Sequence, residues 1–293
     1  MAINRLGAAS VVFALFLVGD AASHTLFIKP DTFILTPGST VPLKLIDGTF
    51  ETSASRLYDS SIRSAEALGP DASSRDLTDR ELSYSGKMTI LEAEFDSPGT
   101  YLVGVSTRPK KVVLDSESFN FYLRYEGLLD ERKERADLAE TDIAVVERYS
   151  KFAKAVVQVG DTRTPNYSEE MGFDVEIVPI TNPYSLGVGD VFRARILKDG
   201  KPLPNELVYA THENHYSPDE EGIFDEAVKL RSDGEGLIEY PISAPGKWYV
   251  RFIDLRRVDD AEYWYSGILV ALGTQEQQIF YESKWATLTF EIR

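Results

Sequence analysis

From His24 onward the chain alternates apolar and polar residues in short runs broken by Pro and Gly. That two-residue period predicts half-buried strands rather than helices. Leu26 and Ile28 mark a first strand and Phe33 to Leu35 a second, and after the turn Thr36-Pro37-Gly38-Ser39 the residues Val41, Leu43 and Leu45 share one face. Asp47-Gly48 signals the next turn. The segment from Ser53 to Arg80 is polar, with Gly69-Pro70 inside it, and reads as a long loop with short strand fragments. A strand pair follows, Thr89 to Phe95 and Tyr101 to Val105, about the turn Ser97-Pro98-Gly99-Thr100.

The period then changes. Phe119, Tyr122 and Leu123 fall on one helical face, with Ser116 as N-cap and Gly127 as the stop. The charged run Leu128 to Leu138 extends a helical excursion over about 116–140, and its charge reads as a solvated face. Glu147 to Gly160 is strand-like and is expected to rejoin the first sandwich. The polar loop from Asp161 to Glu170 is the expected domain boundary. A second strand series runs through Phe173 to Val178, Val191 to Leu197, Glu206 to Ala210, Gly236 to Tyr240, Trp248 to Ile253 and Ala286 to Ile292.

The two halves echo each other. Pro37-Gly38 before Val41 corresponds to Val188-Gly189 before Val191, and Ser97-Pro98-Gly99-Thr100-Tyr101 corresponds to Ala244-Pro245-Gly246-Lys247-Trp248. The expected fold is all-β: two tandem immunoglobulin-like β-sandwiches, 24–160 and 171–293, joined by a 161–170 linker, with a short helical excursion between them. Pro-Gly turns before an aromatic strand arise in any sandwich, so the echo is compatible with duplication without requiring it.

Residues 1–23 read as a secretory signal peptide: Arg5, an apolar run from Leu6 to Gly19, then Ala21 and Ser23 at the positions a signal peptidase inspects. Cleavage after Ser23 makes His24 the first residue of the mature chain. The apolar run is shorter than the roughly 20 residues a membrane anchor needs, and the mature protein is expected to be periplasmic or secreted without an anchor. There is no cysteine, so no disulfide contributes to stability, which must come from apolar burial. The net charge of −16 repels phosphates and makes nucleic acid a poor partner. A field of that sign concentrates cations, although solubility is the plainer account of most of the charge.

No enzyme signature stands out: the chain has no Gly-x-Ser-x-Gly elbow, no phosphate-cradling glycine loop, no His-Glu-x-x-His helix and no cysteine nucleophile. With 47 acidic residues, carboxylate pairs carry little information. The three histidines are more informative. A mature N-terminal His24 offers its α-amine and a ring nitrogen to the same ion, and both shed protons near neutral pH. His212 and His215 lie three apart in the loop Thr211-His212-Glu213-Asn214-His215-Tyr216, where Glu213 can add an oxygen. His24 with one or both of these makes a nitrogen-rich site suited to nickel, copper or zinc. The plain alternative leaves His24 as a by-product of cleavage and the loop histidines as surface residues. Asp254, at the end of the Trp248 strand, is a weaker candidate ligand. Asp219, Glu220 and Glu221 lack the spacing of a calcium loop, and Tyr263-Trp264-Tyr265 reads as core packing before a sugar- or partner-binding patch.

Several blocks carry a family resemblance: the opening His24-Thr25-Leu26-Phe27-Ile28-Lys29-Pro30, Phe119 to Leu128, Glu147 to Lys154, Glu176 to Tyr184, Asp199 to Leu203 and Tyr281 to Phe290. Together, and in order along almost the whole mature chain, they resemble the exported bacterial NikM-type family of unknown function, linked to the periplasmic part of nickel-uptake complexes. The resemblance implies a metal role for His24, and a histidine near the end of the Trp248 strand where this chain has Asp254. A carboxylate there puts the identity of the metal in doubt. The expected function is passive: capture of a divalent transition ion, nickel or copper, and its presentation to a membrane metal transporter or another acceptor. The alternative is a non-catalytic adhesion or interaction module without metal.

Overall fold

The computed structural model describes residues 24–71, 73–213, 215, 226–258 and 279–293. The leader at 1–23, the acidic turn at 219–221 and the aromatic triplet at 263–265 lie outside the described residues. The first half supplies β1 (Thr25–Lys29), β2 (Ile34–Leu35), β3 (Ser39–Gly48), β4 (Ser53–Ser55), β5 (Ile62–Leu68), β6 (Ser74–Asp76), β7 (Leu82–Ser85), β8 (Met88–Phe95), β9 (Gly99–Thr107) and β10 (Lys110–Leu114). Helices α1 (Ser116–Tyr125) and α2 (Leu129–Asp137) follow, then the long β11 (Val145–Val159). The second half supplies β12 (Val175–Pro179), β13 (Val191–Lys198), β14 (Lys201–Pro202), β15 (Leu207–His212), β16 (Val228–Arg231), β17 (Leu237–Pro241), β18 (Gly246–Val258) and β19 (Ile279–Ile292).

These strands form three sheets. The largest is ten-stranded, with the path β16-β15-β18-β19-β11-β9-β5-β6 and with β2 and β10 paired to β11. A five-stranded sheet, β1-β3-β8-β7 with β4, covers one face of its first half, and a four-stranded sheet, β12-β13-β14 with β17, covers the opposite face of its second half. The expected all-β class with two immunoglobulin-like sandwiches and a helical excursion is what the chain adopts.

The sandwiches are not strung on a linker, however, because they share the large sheet. Alternation along β11 makes this possible: Ala153, Ala155, Val157 and Val159 enter the first core, while Phe152 and Val156 enter the second. Residues 161–170 cross between the cores while β11 lends one face to each.

Read outward from the parallel β11–β19 pair, the sheet is a palindrome: β11-β9-β5-β6 one way and β19-β18-β15-β16 the other. The echoed glycines occupy matching places at the ends of the two smaller sheets, before β3 and before β13. Gly38 N donates to Phe95 O at 2.8 Å and Gly189 N to Ile242 O at 2.8 Å. Both glycines have positive φ, 79° and 94°, where a side chain would strain the turn. At the second pair of turns, Tyr101 Oη donates to Ser97 O at 3.1 Å and Trp248 Nε1 to Ala244 O at 3.0 Å, so each aromatic ties its corner to the residue four positions earlier.

Three local expectations change. The strands at 88–95 and 99–107 are not hairpin partners; they lie in opposite sheets, and Phe95 meets Tyr101 edge to face at 5.2 Å across the corner. The polar stretch after Ser53 contains a full strand, β5, whose Ala65 and Ala67 are small enough to sit in the first core. Helix α1 is capped by Asp115 rather than Ser116, with Ser118 N donating to Asp115 Oδ1 at 2.7 Å. It stops at Gly127 (φ 70°), and its Phe119, Tyr122 and Leu123 cover Ile253, Leu255, Tyr281 and Trp285.

Candidate metal centre

His24 stands at the head of β1 and is half-buried. Behind it the strand is held firmly: Thr25 to Lys29 are all buried, and Thr287 and Thr289 donate their hydroxyls to Leu26 O and Ile28 O at 2.7 and 2.6 Å. Those threonines alternate with Ala286, Leu288 and Phe290, which fill the second core. The strand that begins after His24 therefore lies on the face of the large sheet turned away from that core.

His212 ends β15 on the opposite face. It pairs in register with Trp248, which pairs with Phe290, and its ring centre lies 4.9 Å from that of Trp248. The register also separates the two histidines lengthwise. Ile28 sits over Thr289, which pairs with Tyr249 and through it with Thr211. From that row His24 lies four residues back along β1, about 13 Å at the usual strand rise. The expected single shell of His24 with His212 and His215 is thus not assembled: strand pairing sends the two parts to opposite faces of one sheet. Among the described residues no three His, Cys, Asp or Glu side chains converge closely enough to hold a metal ion.

His212 and His215 do come together, with ring centres 5.5 Å apart at 62°. His215 N donates to His212 O at 3.1 Å, and the two rings meet edge to face. Glu213 points elsewhere, as alternation requires. Its Oε2 lies 3.9 Å from Lys29 Nζ and 3.8 Å from Lys247 Nζ, on the β1 side of the sheet, so it joins the two layers rather than the histidine pair. Asp254 shares the face of His212 but lies six residues along β18 from Trp248, about 20 Å, and Lys198 Nζ holds it at 2.8 and 2.7 Å.

The sequence concealed several buried charges. Lys154 Nζ lies 2.5 Å from Glu176 Oε1, which also accepts from Met171 N at 2.7 Å. Burial pushes the Lys154 ammonium below its ordinary value although Glu176 pulls the other way. Lys151 pairs with Asp47 in the same fashion. Arg251 sits between Glu126 and Glu226, at 2.6 and 2.5 Å, fastening the helical excursion to β18. Glu147 is fully buried beside Ser283, which donates to its Oε1, and its Oε2 has no hydrogen-bond partner among the described residues; burial pushes this carboxyl up to about 7. The available signal was charged residues interrupting the apolar run from Val145 to Val159, where a strand buried on both faces leaves them no water to reach.

Among solved structures the chain is similar to the D0-D1 domain of intimin, at 12% identity and a TM-score of 0.21, covering 91% of this chain and 97% of that one. It is also similar to Salmonella alpha-2-macroglobulin reacted with methylamine (10% identity, TM-score 0.24, 92% of this chain and 15% of that one). The Yersinia pseudotuberculosis adhesin InvE is a third (10% identity, TM-score 0.20, 80% and 57%). No curated protein matches the sequence. The family model described as a domain of unknown function, DUF4198, matches residues 21–253, and the chain belongs to that family.

Proposed function

We propose that the exported form of this protein begins at His24 and binds a divalent transition ion, nickel or copper, through the α-amine and imidazole of that residue. It then presents the ion to a membrane metal transporter or another acceptor. The reading rests on one observation: a wholly buried strand departs directly from His24, the residue that cleavage after Ser23 would expose. A terminus anchored this way loses little further freedom on closing a chelate, whereas a frayed terminus pays that ordering cost at binding. The amine and ring nitrogen supply two donors, and the remaining positions stay open to water or to the acceptor, which suits an ion that is to be passed on. The nickel-uptake association implied by the sequence resemblance belongs to the same proposal. Nitrogen donors prefer copper over nickel intrinsically, so the ion carried is set by supply as much as by the site.

Titration of the mature chain with nickel and copper tests this directly. One ion should bind at the terminus, and a Gly-Ser extension before His24 should abolish that event; equal binding at the terminus with and without the extension overturns it.

A second reading, a metal-free interaction module, is favoured by the separation of His24 from the other two histidines. It expects no ion to bind the mature terminus at all.

A further inference from the structure

We propose that His212 and His215 form a second ion site, a two-imidazole chelate for a borderline divalent ion such as copper(II) or zinc. It lies on the face of the large sheet opposite His24 and works independently of the terminus.

The hydrogen bonds define which nitrogens are available. His212 Nδ1 lies 2.9 Å from the carbonyl oxygen of Glu213. A carbonyl only accepts, so Nδ1 carries the proton and Nε2 carries the lone pair. Metal-binding imidazoles are held in this way, one nitrogen fixed to a backbone oxygen and the other presented to the ion. His215 Nε2 is buried and has no hydrogen-bond partner among the described residues. A buried polar nitrogen left in that state is unfavourable, and a bound ion removes the cost.

The ring separation allows an ion between them. Two imidazoles bound to one ion at about 2.0–2.1 Å and a near-tetrahedral angle hold their ring centres roughly 5 Å apart, and here the separation is 5.5 Å. The turn bond from His215 N to His212 O and the Trp248 ring against His212 keep both rings in place before any ion arrives. Glu213 is occupied by Lys29 and Lys247 on the other side of the sheet, so the two imidazoles are the donors this site offers.

The Gly-Ser-extended chain isolates this site, because the extension blocks only the terminus. Titrated with copper(II) or zinc chloride in a calorimeter, it should still bind one ion, and His212→Gln or His215→Gln should each weaken that binding by about tenfold or more. Electron paramagnetic resonance of copper(II) on the unsubstituted extended chain should show nitrogen coupling from two imidazoles, a readout that needs no variant to fold. An extended chain that binds no ion at millimolar concentration, binding unchanged in both variants, or a copper spectrum without imidazole coupling overturns the proposal. Loss of one ion on extension reports on the terminus alone, so the two sites succeed or fail separately.

Discussion

Lys154 Nζ and Glu176 Oε1 lie 2.5 Å apart with their side chains 1% and 2% exposed, and they tie β11, the strand both sandwiches share, to β12, the first strand of the second. Each partner is costly to bury alone, and the pair survives because backbone N–H groups at Met171 and Phe173 satisfy the rest of the carboxylate.

Replacing one member should therefore cost more than replacing both. Glu176→Leu, which strands the ammonium, should lower stability by about 3–5 kcal/mol, and Lys154→Met with Glu176→Leu should recover much of it. Urea midpoints of the single and double variants decide this; additive losses would show that the pair is not coupled.

Glu147 makes stability fall as pH rises. Below its ordinary value of 4.5 the carboxyl is protonated in both the folded and unfolded chain; between there and about 7 only the unfolded chain releases the proton. The folded state loses about 3 kcal/mol across that window, and Glu147→Gln, which mimics the protonated form, should flatten it. Melting curves from pH 4 to 8 should converge for the two proteins at the acid end and diverge, with the variant more stable, at the alkaline end.

The two aromatic corners should be separately breakable. Tyr101→Phe removes the bonds with Ser97, both at 3.1 Å, without changing the ring and should cost about 1–2 kcal/mol. Trp248→Phe also leaves a void in the second core and should cost more, by about 24 cal/mol per Å³ of unfilled space. Denaturant unfolding measures both.

Gly127 has φ 70°, and a Cβ there would collide with the Tyr209 hydroxyl, which donates to Glu126 O at 3.1 Å. Gly127→Ala should loosen the helical excursion from β15, seen as faster amide exchange in residues 116–137. Adding Tyr209→Phe should restore only part of the protection, since the backbone strain of the positive φ remains.

Much of the fold was legible because alternation and Gly-Pro turns are local signals. The echo of Gly38 with Gly189 and of Tyr101 with Trp248 pointed to the repeated architecture before any pairing was known. Which sheet each strand joins was not legible. The run Thr89 to Phe95 reads the same whether Tyr101 follows as a hairpin partner or crosses to the facing layer. The same gap misled the site. Adjacency of His212 and His215 is local and was recoverable, but their relation to His24 depends on the faces to which Thr289 and Trp248 point, a consequence of register across three strands. The buried partners Lys154 and Glu176 are 22 residues apart, and nothing in their own neighbourhoods names one to the other.

The parallel pair at the centre of the sheet has a temporal consequence. Residues 145–155 pair in parallel with 279–289, and β18 needs the same strand along its whole length. A chain that has reached Val258 holds every residue of the first core but lacks the strand that supplies Ala286, Leu288, Phe290 and Ile292 to the second, so the second sandwich is open along its inner edge. Contacts that span more than a hundred residues must form late and slowly. The unfinished edges of β11 and β18 are open to pairing with other chains until then, which makes the strand at 279–292 the guard against aggregation.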